Sequence, residues 1–166
     1  MSDIKTVLDE TPFQTAGPFL HIGCLPNAIN IEGVFDNDLG VKPFANKHYD
    51  KFITITGSVF DGDGKALDDI MLESWQSDEN GVYSPECGFA RFVPDSLTKK
   101  FNLYTLKPGF MNNLDGKAQS PHIFISISSR GLNMTLNTRI YFEGDDLTND
   151  PLLSTVKNSR NDVSSL

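Results

Sequence analysis

Cysteine is scarce in this chain of 166 residues, with Cys24 and Cys87 the whole supply. The two lie far apart without metal-ligand spacing, and a disulfide framework needs more, so a reduced, cytoplasmic setting is expected. Positive charge is short as well. Fourteen Lys and Arg against 22 Asp and Glu leave a net charge of −8, which gives no basic footprint for nucleic-acid phosphates or for an acidic membrane surface. Long apolar runs are missing, and a start carrying Asp3, Asp9 and Glu10 reads as neither a signal peptide nor a membrane span. Helical periodicity is nearly absent; only Pro151 to Lys157 could hold a helical turn.

What is present fits one domain. A chain of this length buries about 68–70% of its unfolded surface, and 39% hydrophobic content with 12 Phe is enough for a core. Residues 1–51 read as an N-terminal arm and connecting loops, 52–157 as the core and 158–166 as a loose polar tail. The arm, Thr11-Pro12-Phe13-Gln14-Thr15-Ala16-Gly17-Pro18-Phe19, is bracketed by proline and glycine and is no helix. Asn27 to Asp50 is a long polar connection without periodicity. His21 in the arm and His48 and Tyr49 in the connection read as packed or solvated side chains.

Regular structure starts at Phe52. Over Phe52–Phe60, Ile53, Ile55 and Val59 alternate with Thr54, Thr56 and Ser58, and Asp61-Gly62-Asp63-Gly64 closes a tight turn. That acidic turn is no calcium loop, because Leu72 stands where the twelfth-position glutamate belongs. Ile70–Trp75 and Phe101–Leu106 are two more strands, with Glu79-Asn80-Gly81 a turn between them. Short strands separated by Gly, Pro and Asp turns predict an all-β, antiparallel β-sandwich.

The chain is organised around Lys107 to Phe142. In Pro121–Ser128, Ile123, Ile125 and Ile127 fall on one side of a strand, and His122, Phe124, Ser126 and Ser128 on the other. Leu136, Thr138, Ile140 and Phe142 then share one face of a following strand; Thr135, Asn137, Arg139 and Tyr141 share its opposite. Lys107-Pro108-Gly109 turns the chain so that Phe110 and Met111 come near the start of the histidine strand. An imidazole followed two residues on by a phenylalanine resembles half of a metal pocket stripped of its donors.

Several pieces recur in a fixed order: the Thr11–Phe19 arm with His21-Ile22-Gly23, then Gly57-Ser58-Val59-Phe60-Asp61-Gly62-Asp63-Gly64, Glu73-Ser74-Trp75-Gln76 and Asn80-Gly81-Val82-Tyr83. Thr105-Leu106-Lys107-Pro108-Gly109, Pro121-His122-Ile123, Arg130-Gly131-Leu132-Asn133 and Thr138-Arg139-Ile140-Tyr141-Phe142 follow. Together, over about residues 10 to 153, they resemble the intradiol ring-cleaving dioxygenases.

The resemblance implies a sandwich in which two tyrosines and two histidines hold a non-haem Fe(III) that activates a catechol toward O₂. Phenolates are hard anionic donors suited to ferric iron. Catalytic members carry a tyrosine directly after Lys-Pro-Gly or one residue on, where this chain has Phe110-Met111. They carry His-x-His where it has His122-Ile123-Phe124. The other tyrosine belongs to a segment that is cut short here between Tyr83 and Gly88, and Tyr83, part of the strand–turn motif itself, is not read as its substitute. Phe110, His122, Phe124, Arg139 and Tyr141 are thus expected to line a vestigial pocket, with Arg139 filling it beside Tyr141 or an acid. No metal, no other cofactor and no catalytic residue is expected in this chain.

Such a pattern is similar to the family's non-catalytic α-type chains, which work beside a homologous iron-bearing β subunit in a hetero-oligomer. By that likeness Thr15 and Arg130 reach the mouth of the partner's pocket, where the guanidinium would attract a substrate carboxylate, as in protocatechuate rather than plain catechol. Chains of that type continue through further strands past Asp150-Pro151-Leu152. This one stops at Leu166, either as a shortened natural variant or with its tail strands missing, and a sheet edge left open in that way would lean on the partner. Two other readings compete. A transthyretin-like or carboxypeptidase-regulatory-like binding module would explain Gly57 to Gly64 and leave the arm and the Pro121–Tyr141 pattern unaccounted for. An independent iron enzyme would need Tyr83, Tyr104, Tyr141 and His122 to converge. Trp75 reads as a core or interface residue.

Overall fold

The computed structural model describes residues 12, 14–45, 52–84, 88–112, 116–148 and 150–156. Phe13, His48, Tyr49, Cys87 and the tail, all weighed above, lie outside the described residues. Among the described residues eight strands appear in chain order: β1 Phe52–Gly57, β2 Ile70–Trp75, β3 Phe89–Phe92, β4 Phe101–Leu106, β5 Met111–Asn112, β6 Ala118–Gln119, β7 His122–Ser129 and β8 Leu136–Tyr141. They form an antiparallel four-stranded sheet ordered β3-β2-β7-β8, an antiparallel pair β1-β4 and the small hairpin β5-β6.

The alternation read from the sequence decides which face is buried. Ile70, Leu72, Ala90, Ile123 and Ile125 on the larger sheet pack with Phe101 and Leu103 of β4, joined by the partly buried Ile55, Ile127 and Ile140. This apolar layer between the sheets is the core, and burying each such side chain contributes about 1.5–3 kcal/mol. Thr54 and Thr56 point outward from β1, where Thr56 Oγ1 donates to Asn102 Oδ1 at 2.7 Å across the pair. A buried polar bridge also joins the ends of β2 and β4. Gln76, 1% exposed, donates from Nε2 to the Leu106 carbonyl at 2.8 Å and accepts from Thr105 Oγ1 at 2.8 Å.

Three expectations need correction. Pro151 to Lys157 is not the sole helical stretch: α2 occupies Pro151–Val156, but α1 forms earlier over Leu20–Cys24, followed by a 3₁₀ turn over Asn27–Ile29. Glycine and proline at positions 17 and 18 stop the extended arm, and Pro26 ends the helix after a single turn. The connection after Asn27 is also built rather than merely polar. Asp38, 4% exposed, accepts from the backbone N–H groups of Asn27 and Ala28 at 3.2 and 2.9 Å and from the Asn27 side chain at 3.1 Å. Finally, β3 was not foreseen. It is an edge strand of four residues with Arg91 inside it, and it is held by the cross-strand ion pair of Arg91 with Glu73 of β2 at 2.7 Å.

Two turns clasp each other beside the larger sheet. The Gly109 N–H donates to the Asp78 carbonyl at 2.8 Å. Gly81, at φ +78°, has its α-carbon against the Phe110 carbonyl, where any β-carbon would collide with the oxygen. The Asp78 carboxylate caps its own turn through Asn80 N at 2.9 Å and Val82 N at 3.0 Å. The Lys107-Pro108-Gly109 turn is thereby fixed in place.

Candidate functional site

Register sets the residues of the expected pocket on the sheet face away from the core. Trp75 of β2 lies opposite Phe124 of β7, and Phe124 lies opposite Arg139 of β8, with His122 opposite Tyr141 two positions along. Because side chains alternate across a strand, Trp75, His122, Phe124, Arg139 and Tyr141 share that face. Tyr83 joins them by stacking on Trp75, with ring centroids 6.1 Å apart and planes 12° off parallel. Phe110 is 57% exposed, and its backbone carbonyl lies where a β-carbon on Gly81 would sit. Tyr104 stands elsewhere. It is 59% exposed on β4 and stacks on Phe52 at 4.4 Å, so the four-residue convergence needed for an independent iron site does not form.

His122 is buried, 4% exposed. Its Nδ1 lies 2.8 Å from the Ser120 carbonyl; a carbonyl only accepts, so Nδ1 carries the proton and Nε2 the lone pair. Burial lowers its pKa from 6.5, with the Ser120 bond and Asp150 opposing and the Arg139 cation assisting. Burial likewise pushes the phenols of Tyr141 and Tyr83 above the ordinary tyrosine value, partly countered by the Arg139 charge. Arg139 Nη1 donates to the Tyr141 hydroxyl at 3.4 Å, and that hydroxyl lies 3.4 Å from Asp150 Oδ1.

Asp150 is the organising residue that sequence reasoning missed. It is 1% exposed and N-caps α2, accepting from Leu152 N at 2.9 Å and Leu153 N at 3.2 Å, while its other oxygen accepts from Ser120 N at 3.1 Å. One carboxylate thus ties α2 to the entry of β7. The available signal was local: aspartate directly before proline is an N-cap followed by a residue suited to the first helical position.

A ferric ion is poorly served by this face. Phe124 has no lone pair, both phenols resist ionisation, and Arg139 holds a fixed positive charge among them, where a trivalent cation would be repelled. Among the described residues no group of three or more His, Cys, Asp or Glu gathers to hold a metal. The residues present do not fit the iron that the fold family implies.

The depressed pKa of His122 has a measurable consequence. Between the folded and unfolded values the unfolded chain binds more protons, so stability is full above about pH 6.5 and falls as pH drops toward the folded value. Urea unfolding at pH 7 and pH 5 is expected to show this loss, and His122→Gln should shrink the difference. Asp68, Asp95 and Asp146, held below 3.8 chiefly by hydrogen bonds from Lys99, Thr98 and Thr148 respectively, lose their contribution only in a lower window.

A second location gathers the expected mouth residues. Ala16 forms a parallel bridge with Arg130, which places Thr15 beside the Arg130-Gly131 turn. Thr15 Oγ1 donates to the Ala16 carbonyl at 3.3 Å. The Arg130 side chain is 67% exposed, and its Nε pairs with Asp69 Oδ2 at 2.5 Å. Asp69 also lines a cavity of about 280 Å³ with His21, Asn30, Asp68 and Asp95.

A protein-family model described as Dioxygenase matches residues 27–162. The protocatechuate 3,4-dioxygenase alpha chain of Pseudomonas putida is 38% identical over 155 residues, which cover 86% of this chain and 74% of that one. The chain of the same name from Burkholderia cepacia is 30% identical over 169 residues, covering 93% and 82%. Among solved structures, 3-chlorocatechol 1,2-dioxygenase from Rhodococcus opacus 1CP superposes with a TM-score of 0.57 at 21% identity, covering 64% of this chain and 50% of that one. The dioxygenase domain of a carbohydrate-binding fusion from Streptomyces sp. SirexAA-E gives a TM-score of 0.54 at 23% identity, covering 75% of each. At those identities the structural likeness concerns the fold, an antiparallel β-sandwich.

Proposed function

The chain belongs to the intradiol ring-cleaving dioxygenases, and from that footing we propose that it is the non-catalytic α subunit of a protocatechuate 3,4-dioxygenase. It works beside a homologous β subunit that carries Fe(III) and cleaves protocatechuate with O₂ to 3-carboxy-cis,cis-muconate. The observation that carries this reading is the 38% identity to an alpha chain across 86% of the sequence. The donor-poor face around Phe124 and Arg139 accords with it. The binding-module alternative has no counterpart in those relatives. No helix among the described residues is long and apolar enough to cross a membrane; a cytoplasmic setting rests on the sparse cysteines.

In this reading the chain supplies charge and shape at the mouth of its partner's site. Asp69 holds the Arg130 Nε, which aims the guanidinium while leaving its terminal nitrogens for a substrate carboxylate, a planar group that guanidinium meets through paired hydrogen bonds. Thr15, carried on the arm by the Ala16 bridge, lies beside it. In the assembled enzyme Arg130→Ala is expected to raise KM about tenfold with kcat nearly unchanged, the signature of lost substrate capture. An unchanged KM with normal assembly removes Arg130 from the site.

The subunit assignment is tested by purifying the chain alone and with a candidate β partner, then recording the visible tyrosinate-to-iron absorption and ring cleavage. Colour and activity appearing only with the partner support it. Either one from the chain alone overturns it.

A further inference from the structure

Resting on the subunit reading, we propose that the loop from Asn27 to Val41 is where the homologous iron-bearing partner docks. The loop is built inside out. Asp38 turns inward and holds the backbone N–H groups of Asn27 and Ala28, while Asn27 Nδ2 donates to the Phe35 carbonyl at 3.0 Å. The two ends of Asn27–Asp38 are thereby pinned together, as in a compact Ω-loop. Just beyond, the Gly40 carbonyl accepts from Arg91 N at 3.1 Å. A β-carbon on Gly40 would lie 2.6 Å from that same nitrogen, so the loop is pressed against the edge of β3. Its apolar side chains are left outside: Ile31, Val34, Phe35, Leu39 and Val41 are 42–64% exposed. A carboxylate within and aliphatic and aromatic groups without reverse the usual distribution. Single exposed apolar residues need no explanation, but a group of them gathered on one fixed loop marks a contact surface. Because the loop is already held in shape, little ordering opposes binding.

Charge and position select the occupant. Glu32 and Asp36 are exposed among the apolar side chains, against Lys42 at the end of the loop, on a chain of net charge −8. A second copy meeting this surface through a two-fold axis would set the same acids against each other. The partner that fits instead offers an apolar patch rimmed by lysine or arginine. Position points to the chain at the Arg130 mouth. Ala28, Ile29 and Asn30, from the first turn of the loop, line the same cavity as Asp69, and Asp69 holds Arg130. A chain seated over that guanidinium meets the loop as part of one continuous surface. The loop supplies adhesion, and Arg130 supplies selectivity toward substrate.

Sedimentation of the full-length chain with the β chain used to test the subunit assignment measures the docking. Val34→Asp and Leu39→Asp, both at exposed positions, are each expected to weaken association at least tenfold with the urea midpoint of the isolated chain unchanged. Glu32→Lys should weaken it too, and less so as salt rises. Activity separates holding the partner from holding the substrate. At saturating partner the loop variants regain normal kcat and KM, whereas Arg130→Ala keeps its raised KM. Loop variants that assemble as tightly as the wild type overturn the docking proposal and leave the subunit assignment standing. A wild-type chain that never associates overturns both. An isolated chain that dimerises, and that Leu39→Asp turns into a monomer, makes a second copy the occupant and overturns the docking proposal as well.

Discussion

Exchanging Asp150 for alanine is expected to lower the unfolding free energy by about 3 kcal/mol. Two losses add. The N-cap of α2, now made to Leu152 and Leu153, is worth about 0.5–2 kcal/mol. The Ser120 N–H, in a residue 3% exposed, loses its acceptor at Asp150, and a buried donor left unpaired costs about 1–3 kcal/mol. Asp150→Asn keeps an acceptor oxygen for the cap and should recover a good part of the difference. Urea unfolding followed by far-UV circular dichroism measures this as a lower midpoint with an unchanged slope. A loss below about 1 kcal/mol would mean that α2 is held mainly by the burial of Leu153, 7% exposed, and not by the carboxylate.

Gly81→Ala is expected to cost about as much by another route. At φ +78° a side chain adds about 1–2 kcal/mol of backbone strain. The new β-carbon would also meet the Phe110 carbonyl oxygen, backbone that yields only if the whole Lys107–Phe110 turn shifts, at a further 1–3 kcal/mol or so. Gly144 provides the comparison: its φ is +84° and nothing lies within 4 Å of the position a β-carbon would take. Gly144→Ala should therefore show the strain without the collision. Equal midpoints for the two variants in the same urea experiment would refute the clasp between the turns.

Much of the sheet was legible because alternation and burial obey the same period. β2 and β4 begin and end where the β-branched and aromatic runs do, and the division of β7 and β8 into isoleucine and histidine faces follows from counting by twos. β3 was hidden because a four-residue strand containing an arginine has too little pattern to stand out; only Glu73 across the sheet makes Arg91 a good strand residue. At the candidate site, Phe124, His122, Arg139 and Tyr141 could be grouped from period alone. Phe110 could not be placed, since a residue after a turn takes its direction from what the turn packs against, here Gly81. Tyr83 was set aside on its place in a motif, yet stacking on Trp75 brings it to the same face. Asp150 carries a local signal for its cap in the Asp-Pro pair, but its tie to Ser120, thirty residues away, has no trace in the sequence.

The pleat of β7 keeps two obligations apart. Odd positions, Ile123, Ile125 and Ile127, answer to foldability, while Phe124 and its neighbour Arg139 face outward and answer to chemistry. New donor groups could thus be grafted at 124 and 139 without disturbing the interior. The obstacle to re-engineering this scaffold as a metalloenzyme is assembling a complete coordination sphere, not keeping the scaffold folded.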